Sequence, residues 1–220
     1  MKKIIYFFTK YFIKTLFLPF LRIDYQQYPN FLNTGPMIFT ANHPSTLDPI
    51  FVMSILKTTV SILITQSVFY IPLIGFILKK TGHIPVAESQ GSLAYQQAKH
   101  KLENGQSILI FPEGHLSLED GTTKPFFSGA VRLAMETHAS IVPLGISIQA
   151  NRAKIRKFTI KDSIEYARFY LRGKYALTFG RPFRLSGDIT DKEVLEVNKS
   201  NLSQLITHLS QTSSTRITNS

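Results

Sequence analysis

At 220 residues the chain is long enough for one domain with a buried core, and its 44% hydrophobic and 18% charged residues exclude a disordered protein. It has no cysteine, which excludes disulfides, zinc–thiolate sites and cysteine nucleophiles. Basic residues are concentrated in residues 1–22 and 151–184, and the net charge of +11 indicates an anionic partner: membrane lipid, nucleic acid or an acidic carrier.

The first predicted element, Ile4 to Leu21, is apolar, rich in phenylalanine and interrupted by Lys10 and Lys14. Lysines are costly at the centre of a bilayer and no cleavage site of small residues follows, which argues against a membrane span and a signal peptide. On a helix these lysines and Lys3 fall close to one face. The pattern predicts an amphipathic membrane-anchoring helix within residues 1–28, its lysines toward lipid head groups. A buried helix with its lysines in water is the alternative.

Short apolar runs rich in β-branched residues alternate with helical stretches in the rest of the chain. Strands are predicted at Met37 to Ala41, Ser61 to Thr65, Ile108 to Phe111, Ile141 to Ile148 and Tyr175 to Phe179. Helices are predicted at Pro49 to about Leu56, Ser92 to Glu103, Ser128 to His138 and Thr190 to about Leu209. Continuous apolar strands are buried on both faces, so we predict an α/β fold with a mostly parallel central sheet flanked by helices. This domain spans residues 29–209, and residues 210–220 are predicted to be a disordered tail.

A histidine and an aspartate, His43 and Asp48, lie in the turn that follows the first of these strands. Taken singly, His43 is a turn residue and Asp48 an ordinary N-cap of the next helix. A turn with four intervening residues can, however, bring the imidazole and the carboxylate together at the strand end, where α/β folds place their sites. Such a carboxylate fixes the histidine tautomer and strengthens the other ring nitrogen as a base toward a hydroxyl. We therefore predict that His43 is a general base oriented by Asp48.

A second polar segment, Phe111-Pro112-Glu113-Gly114-His115-Leu116-Ser117, follows the strand that ends at Phe111. Its glutamate and glycine can put a carboxylate and bare backbone amides beside the His43 turn. A polar loop in which Gly114 supplies a positive φ is an equal alternative. Outside this segment, His83, His100 and His138 are expected to be surface or packing residues. No histidine has metal-ligand spacing, so no metal site is predicted.

These segments resemble the ordered blocks of the glycerolipid acyltransferase family. The resemblance rests on Asn42-His43 with Asp48, then Phe111 to Gly114, then Pro143, and it covers roughly residues 30–185. It implies that His43 deprotonates an acceptor hydroxyl, which attacks a thioester of coenzyme A or acyl carrier protein without a covalent acyl-enzyme. The best-known members of the family acylate 1-acylglycerol-3-phosphate.

The same resemblance implies that Glu113 and Gly114, with His115 and Ser117, bind the acceptor. Acyl-CoA or acyl-ACP is then a co-substrate, and no cofactor is expected. The protein would be peripheral or monotopic on the cytoplasmic face of the cell inner membrane.

Two positions depart from the family pattern. Glu88 stands six residues after Gly82, and Leu116 stands two residues after Gly114, where the family usually has arginines that hold the acceptor phosphate. Arginine binds phosphate in a bidentate manner, whereas a carboxylate repels it. The acceptor therefore either lacks a phosphomonoester or has its phosphate held by lysines. The candidates are Lys79, Lys80 and Lys124.

The basic cluster from Asn151 to Lys157 is followed by aromatic residues and superficially suits nucleic acid. Beside a membrane anchor we prefer docking to anionic lipid, to acidic acyl carrier protein or to coenzyme A phosphates, and expect no nucleic-acid partner. Two alternative functions stay open: an acyl-thioester hydrolase that uses water at His43, and a non-catalytic basic protein that binds lipid or nucleic acid.

Overall fold

The central feature of the computed structural model, which describes residues 2–26, 35–87, 90–118, 122–161 and 163–218, is a seven-stranded sheet accompanied by a two-stranded hairpin. The strands are β1 (Leu21–Gln26), β2 (Met37–Ala41), β3 (Val60–Thr65), β4 (Ile84–Val86), β5 (Ser107–Ile110), β6 (Ser140–Ile148), β7 (Lys154–Ile160), β8 (Ser163–Phe169) and β9 (Gly173–Phe179). The helices are α1 (Lys2–Phe17), α2 (Asp48–Ile55), α3 (Ile74–Thr81), α4 (Gly91–Glu103), α5 (Gly129–Thr137) and α6 (Lys192–Thr218). Short 3₁₀ helices occupy Leu18–Phe20, Gln66–Tyr70 and Ala150–Arg152.

The order of strands across the sheet is β1-β9-β6-β2-β5-β3-β4. The five strands from β6 to β4 in this order run parallel to one another, whereas β9 is antiparallel to β6 and parallel to β1. The predicted α/β class with a mostly parallel sheet is confirmed. Because β9 is reversed, its first residues lie at the same edge of the sheet as the carboxyl ends of β2 and β6.

Helices cover both faces of the sheet, which explains the continuous apolar strands. All residues of β2 and β5 are buried. Successive side chains of β2 pack in two different hydrophobic cores, one on each face of the sheet. Phe39 packs with residues of α1 and α2 on one face, whereas Ile38 packs with residues of α4, α5 and α6 on the other. The parallel strands are thereby shielded from water on both sides, as a sheet of this kind requires.

Helix α1 lies against α2 and α3, buries Tyr6 and Ile13, and turns a wide apolar face outward. Its exposed large side chains are Ile4, Phe7, Phe8, Tyr11, Phe12 and Leu16. Lys10 does not point outward as predicted but donates a hydrogen bond to the Leu56 carbonyl, so it holds α1 on the domain. Within the described ranges, no helix combines the length and the apolar character that crossing a membrane needs. The predicted boundary at residue 28 lies outside the described residues.

Helix α6 runs to Thr218, well past its predicted end near Leu209. The prediction of a disordered tail over residues 210–220 is therefore wrong for residues 210–218, and residues 219–220 lie outside the described part. The Ser/Thr-rich extension is helical because it has a buried face. Ser213 is fully buried and donates to the Gly145 carbonyl at 2.7 Å, and Ile217 is buried one turn later.

Candidate active site

The loop between β2 and α2 brings His43 and Asp48 together. The distance from His43 Nδ1 to Asp48 Oδ2 is 3.0 Å. Asp48 is the first residue of α2 rather than its N-cap, a position held by Leu47. Its carboxylate accepts a second hydrogen bond from the backbone N–H of Ser45 at 2.7 Å, inside the same loop. The predicted folding back of the turn is present in the structure.

Three different donors surround the Asp48 carboxylate, which is fully buried. Besides the bonds to Oδ2, the Tyr175 hydroxyl donates to Oδ1 at 3.0 Å. The pKa of the Asp48 carboxyl is raised on balance, because the effect of burial exceeds that of the hydrogen bonds from His43, Ser45 and Tyr175, which lower it. Burial and the neighbouring Asp48 charge raise the pKa of Tyr175 well above 10, so its hydroxyl keeps its hydrogen. The site is built around a carboxylate that accepts hydrogen bonds from three different groups, each of which favours its ionised form.

This carboxylate fixes the tautomer of His43. Because Asp48 accepts, the hydrogen of the neutral imidazole is on Nδ1 and the lone pair is on Nε2. The imidazole stacks on Phe111, with ring centroids 4.3 Å apart, and its side chain is 17% exposed. Nε2 makes no hydrogen bond with any residue in the described part of the chain. The ring is thus held on one nitrogen and one face, with the basic nitrogen available to a substrate.

The second predicted segment supports the backbone of His43. Glu113 is buried, and its Oε1 accepts hydrogen bonds from the His43 amide at 3.0 Å and from the Ser117 hydroxyl at 2.6 Å. Its Oε2 accepts from the Lys124 amide at 2.7 Å. Ser117 also donates its amide to the His43 carbonyl at 2.9 Å. The geometry gives Glu113 and Ser117 a positioning role, and acceptor binding by these residues stays a prediction.

Gly114 and His115 lie at the exposed tip of the same loop. Gly114 has φ +68°, and a Cβ there would stand 2.6 Å from the Phe127 ring, so this position requires glycine. Its amide is not bare as predicted, because it donates to the Phe111 carbonyl at 3.0 Å. His115 is exposed, so a role in binding the acceptor remains a prediction for it as well.

Arg168 of β8, which was not predicted as a site residue, ties both loops to the hairpin formed by β7 and β8. Its guanidinium donates to the Ser117 carbonyl at 3.0 Å and to the Pro44 carbonyl at 3.3 Å. Its backbone N–H donates to Thr46 Oγ1 and its carbonyl accepts from the Thr46 amide, both at 2.9 Å. A cleft of about 450 Å³ opens beside these contacts, lined by Pro44, Leu118, Ile148 and Arg168 among others.

Asn42 fixes the point at which the chain leaves the sheet. Its side-chain amide donates to the Ile146 carbonyl at 2.9 Å and its Oδ1 accepts from the Ile146 amide at 2.7 Å. The side chain thereby continues the pairing of β2 with β6 by one more step. The sequence signal that could have identified Asn42 as a site residue is its position directly before His43 in the segment that resembles the acyltransferase family.

Of the two departures from the family pattern, Leu116 is half-buried in the second loop, and Glu88 lies outside the described residues. The backbone amide of Lys124 donates to Glu113, the same residue that accepts a hydrogen bond from the His43 amide. Lys79 and Lys80 belong to the last turn of α3.

Residues 22–147, more than half of the chain, match the sequence profile of the Acyltransferase family. An α/β sheet that carries a His–Asp pair at the carboxyl edge of its parallel strands agrees with this match. The chain belongs to the acyltransferase family, and the resemblance predicted from the sequence is confirmed.

Similar curated proteins include two 1-acyl-sn-glycerol-3-phosphate acyltransferases. That of Limnanthes douglasii is 33% identical over 111 residues, which are 49% of this chain and 39% of the relative. That of Borreliella burgdorferi is 28% identical over 133 residues, 59% of this chain and 53% of the relative. The matched part thus spans between two-fifths and about half of these relatives. The 1-acyl-sn-glycerophosphate (LPA) acyltransferase from Thermotoga maritima shares the fold, with a TM-score of 0.64, 22% identity and coverage of 93% of this chain and 79% of that one.

Proposed function

We propose that the protein transfers a fatty acyl group from a thioester donor, acyl-CoA or acyl-ACP, to a hydroxyl of a lysophospholipid. The observation that carries the proposal is the His43–Asp48 pair, joined at 3.0 Å with Nε2 left for a substrate. General base catalysis needs such a nitrogen within hydrogen-bonding reach of the hydroxyl that reacts. Membership of the acyltransferase family supplies the reaction class.

In the proposed reaction, Nε2 of His43 removes the hydroxyl proton as the oxygen attacks the thioester carbonyl. The C–O bond forms, and the carbonyl electrons move onto the oxygen of a tetrahedral intermediate. Collapse of that intermediate breaks the C–S bond, and the departing thiolate takes the proton back from Nε2. The imidazolium that exists between these steps lies against the Asp48 carboxylate, which stabilises it by charge and hydrogen bonding.

The acceptor that we propose to test first is 1-acylglycerol-3-phosphate, because the curated relatives are named for it. Leu116 stands where the family pattern has an arginine, so the phosphate would be held by lysines as point charges. A lysophospholipid without a phosphomonoester is the second acceptor to test. A preference between the two follows from rates measured side by side with both donors.

We also propose that α1 lies on the cytoplasmic face of the cell inner membrane. The outward face of α1 carries aromatic and aliphatic side chains that water does not favour. The segment before Asp24 is basic and has no acidic residue, which suits anionic head groups. A lysolipid acceptor is itself part of the membrane, so an enzyme at this surface meets its substrate directly.

The proposal is tested with the purified full-length chain, a thioester donor and lysolipid in vesicles. We expect His43→Ala to lower kcat by at least about 100-fold and Asp48→Asn to lower it strongly, because the base is removed or loses its orientation. Near-full turnover by His43→Ala would contradict the mechanism. Loss of thioester that is indifferent to added lysolipid would identify a hydrolase instead.

A further inference from the structure

We propose that the protein has a second membrane contact besides α1: the Leu73 corner, defined as residues 70–76, which inserts its apolar side chains into the head-group region of an anionic bilayer. The proposal deepens the proposed function and rests on its membrane location. It names a part of the domain itself, between β3 and α3, as a lipid-binding surface.

The backbone at Leu73 is strained. Leu73 has φ +62° and ψ −53°, and the Ile74 amide donates to the Pro72 carbonyl at 2.7 Å. These values describe a γ-turn with a positive φ at its centre, a conformation that is rare and unfavourable for a residue with a branched side chain. The corner is also tightly wound, because a Cβ on Gly75 would stand 2.0 Å from the Phe69 carbonyl oxygen. The chain is therefore held in this shape by its surroundings.

The strained turn presents an apolar side chain to water. Leu73 is 72% exposed and Phe76 is 60% exposed, and Ile74 and Tyr70 are exposed beside them. Single exposed apolar residues are ordinary, but a cluster of this kind marks a contact surface. Helix α3, which follows the corner, packs beside α1, so the corner and the outward face of α1 lie on the same side of the sheet.

Two lysine side chains lie against this apolar surface. The Lys161 ammonium lies over the Tyr70 ring, 3.4 Å from its centroid, and the Lys80 ammonium lies 5.5 Å from the centroid of Phe76. Residues 49–87 contain no aspartate or glutamate. An apolar tip with a cationic rim is complementary to a bilayer with anionic head groups. A second copy of the chain would bring like charges together, which favours lipid over self-association as the occupant.

The corner is also correctly placed for the proposed reaction. It follows the carboxyl end of β3, and His43 follows the carboxyl end of β2, which runs parallel in the same sheet. Both segments therefore emerge at one edge of the sheet. A membrane that receives the corner and α1 lies close to this edge, where the hydroxyl of a lysolipid can approach Nε2 of His43.

Vesicle binding by the full chain tests the corner without any need for turnover. The variants are Leu73→Asn and, as a matched control, Leu93→Asn on α4, where the leucine is 53% exposed on the opposite face of the sheet. The vesicles contain phosphatidylcholine with phosphatidylglycerol, or phosphatidylcholine alone. We expect Leu73→Asn to lower the partition coefficient on the anionic vesicles about tenfold, because the bilayer no longer takes up a leucine side chain at this position, and Leu93→Asn to leave it unchanged.

A label gives a second readout that does not depend on weakened binding. The chain has no cysteine, so Leu73→Cys and Leu93→Cys each create one attachment site for an environment-sensitive fluorophore. We expect the emission of the label at position 73 to shift to the blue on anionic vesicles and that at position 93 to stay as in water. Equal behaviour at the two positions, in binding or in emission, would overturn the corner proposal.

A third variant separates this proposal from the one on which it rests. Phe8→Asn removes an exposed side chain of α1. If Phe8→Asn weakens binding and Leu73→Asn does not, α1 is an anchor and the corner is not. If the unaltered chain binds no vesicles yet acylates a dispersed lysolipid, both membrane proposals fail while the catalytic proposal stands.

Discussion

Asp48 is a buried carboxylate whose hydrogen-bond donors come from two distant parts of the chain. His43 and Ser45 belong to its own loop, whereas Tyr175 lies within β9, 127 residues further along. Each of these donors favours the ionised carboxylate against the effect of burial. We therefore expect the orientation of the imidazole to depend on the hydroxyl of Tyr175, which donates to Asp48.

Replacing Tyr175 with phenylalanine tests this dependence. We expect Tyr175→Phe to lower the free energy of unfolding by about 1–3 kcal/mol, because a buried acceptor loses its donor. We also expect kcat to fall, since Asp48 is then less firmly held. Tyr6→Phe is the control, because the Tyr6 hydroxyl is also buried but accepts from the Val60 amide, away from the site. Urea denaturation and transfer assays measure both effects, and equal turnover by the two variants would contradict the role of Tyr175.

The local part of this site could be predicted from the sequence, and the distant part could not. His43 and Asp48 are five positions apart, so the turn alone restricts their separation. Glu113 was recognised as part of the site, but its contact with the His43 backbone depends on how two loops pack. Tyr175 was predicted only as the first residue of a strand, because no local pattern shows that this strand is reversed.

At the scale of elements, the hairpin of β7 and β8 acts as a brace across the two loops of the site. Nearly every residue of β7 is exposed, so burial of this strand contributes little. The connection is instead made by Arg168, whose guanidinium binds the carbonyls of Pro44 and Ser117. One side chain thereby links the turn that contains His43, the loop that contains Glu113 and the hairpin.

Arg168→Ala is expected to lower kcat about tenfold or more, because the loops lose their shared donor and small displacements of reacting groups are costly. Arg156→Ala on β7 is the matched control, since its guanidinium bonds only the carbonyl of its neighbour Ile155 among the described residues. Transfer rates at saturating donor measure the effect. An unchanged rate for Arg168→Ala would show that the loops hold their positions without the brace.

His83, just before β4, joins this edge strand to β3, and we expect it to make the stability of the fold dependent on pH. Its Nδ1 accepts a hydrogen bond from the Ile62 amide at 3.1 Å, so this nitrogen is unprotonated. Burial lowers the pKa of His83 from 6.5 to about 4, and the Lys101 charge adds to the effect. Because the folded pKa lies below the unfolded one, the stabilisation is complete above pH 6.5 and is lost as the pH falls toward 4.

Between about pH 7 and about pH 5 we therefore expect the free energy of unfolding to lose about 2 kcal/mol through this histidine. His83→Asn retains an acceptor at the position of Nδ1 but does not titrate, so the loss should be absent from it. Both proteins are denatured with urea at each pH, and their free energies of unfolding are subtracted. The contributions of all other titrating groups, which the two proteins share, then cancel. Parallel pH profiles would contradict this assignment.

Elements with a buried apolar pattern were predicted, and elements without one were not. The central strands β2, β5 and β6 are continuous apolar runs with helices on both sides. In contrast, β7 is basic and exposed, and β4 has only three residues, with a proline among them. These strands form because a neighbour pairs with them, which is information that the local sequence does not contain.

At the scale of the whole molecule, the last helix, α6, reaches the edge strand β1 at the other side of the described sequence. Arg216 near the end of α6 pairs with Asp24 of β1 at 2.8 Å, while Ile217 is buried beside it. The predicted disorder of this region was based on its Ser/Thr-rich composition. Composition misled because Ser213 is small enough to be fully buried against the sheet and still satisfies its hydroxyl.

Deleting residues 211–220 is therefore expected to lower the free energy of unfolding by about 3 kcal/mol, mostly through the lost burial around Ser213 and Ile217. The partly exposed pair of Arg216 with Asp24 contributes little to this figure. Deleting residues 219–220 alone is the control and should have no effect. A stability that is unchanged by the longer deletion would contradict the stabilising role of this segment.

The position of β9 late in the sequence affects when the site can form during synthesis of the chain. A ribosome releases the chain from its N-terminus, and His43 and Asp48 emerge long before Tyr175, which is 127 residues behind Asp48. Until β9 adds itself to β6, a nascent chain has both partners of the reacting pair but lacks the hydroxyl that completes it. We therefore expect the site to be completed only after β9 has been synthesised, when the strands that precede it are already able to fold.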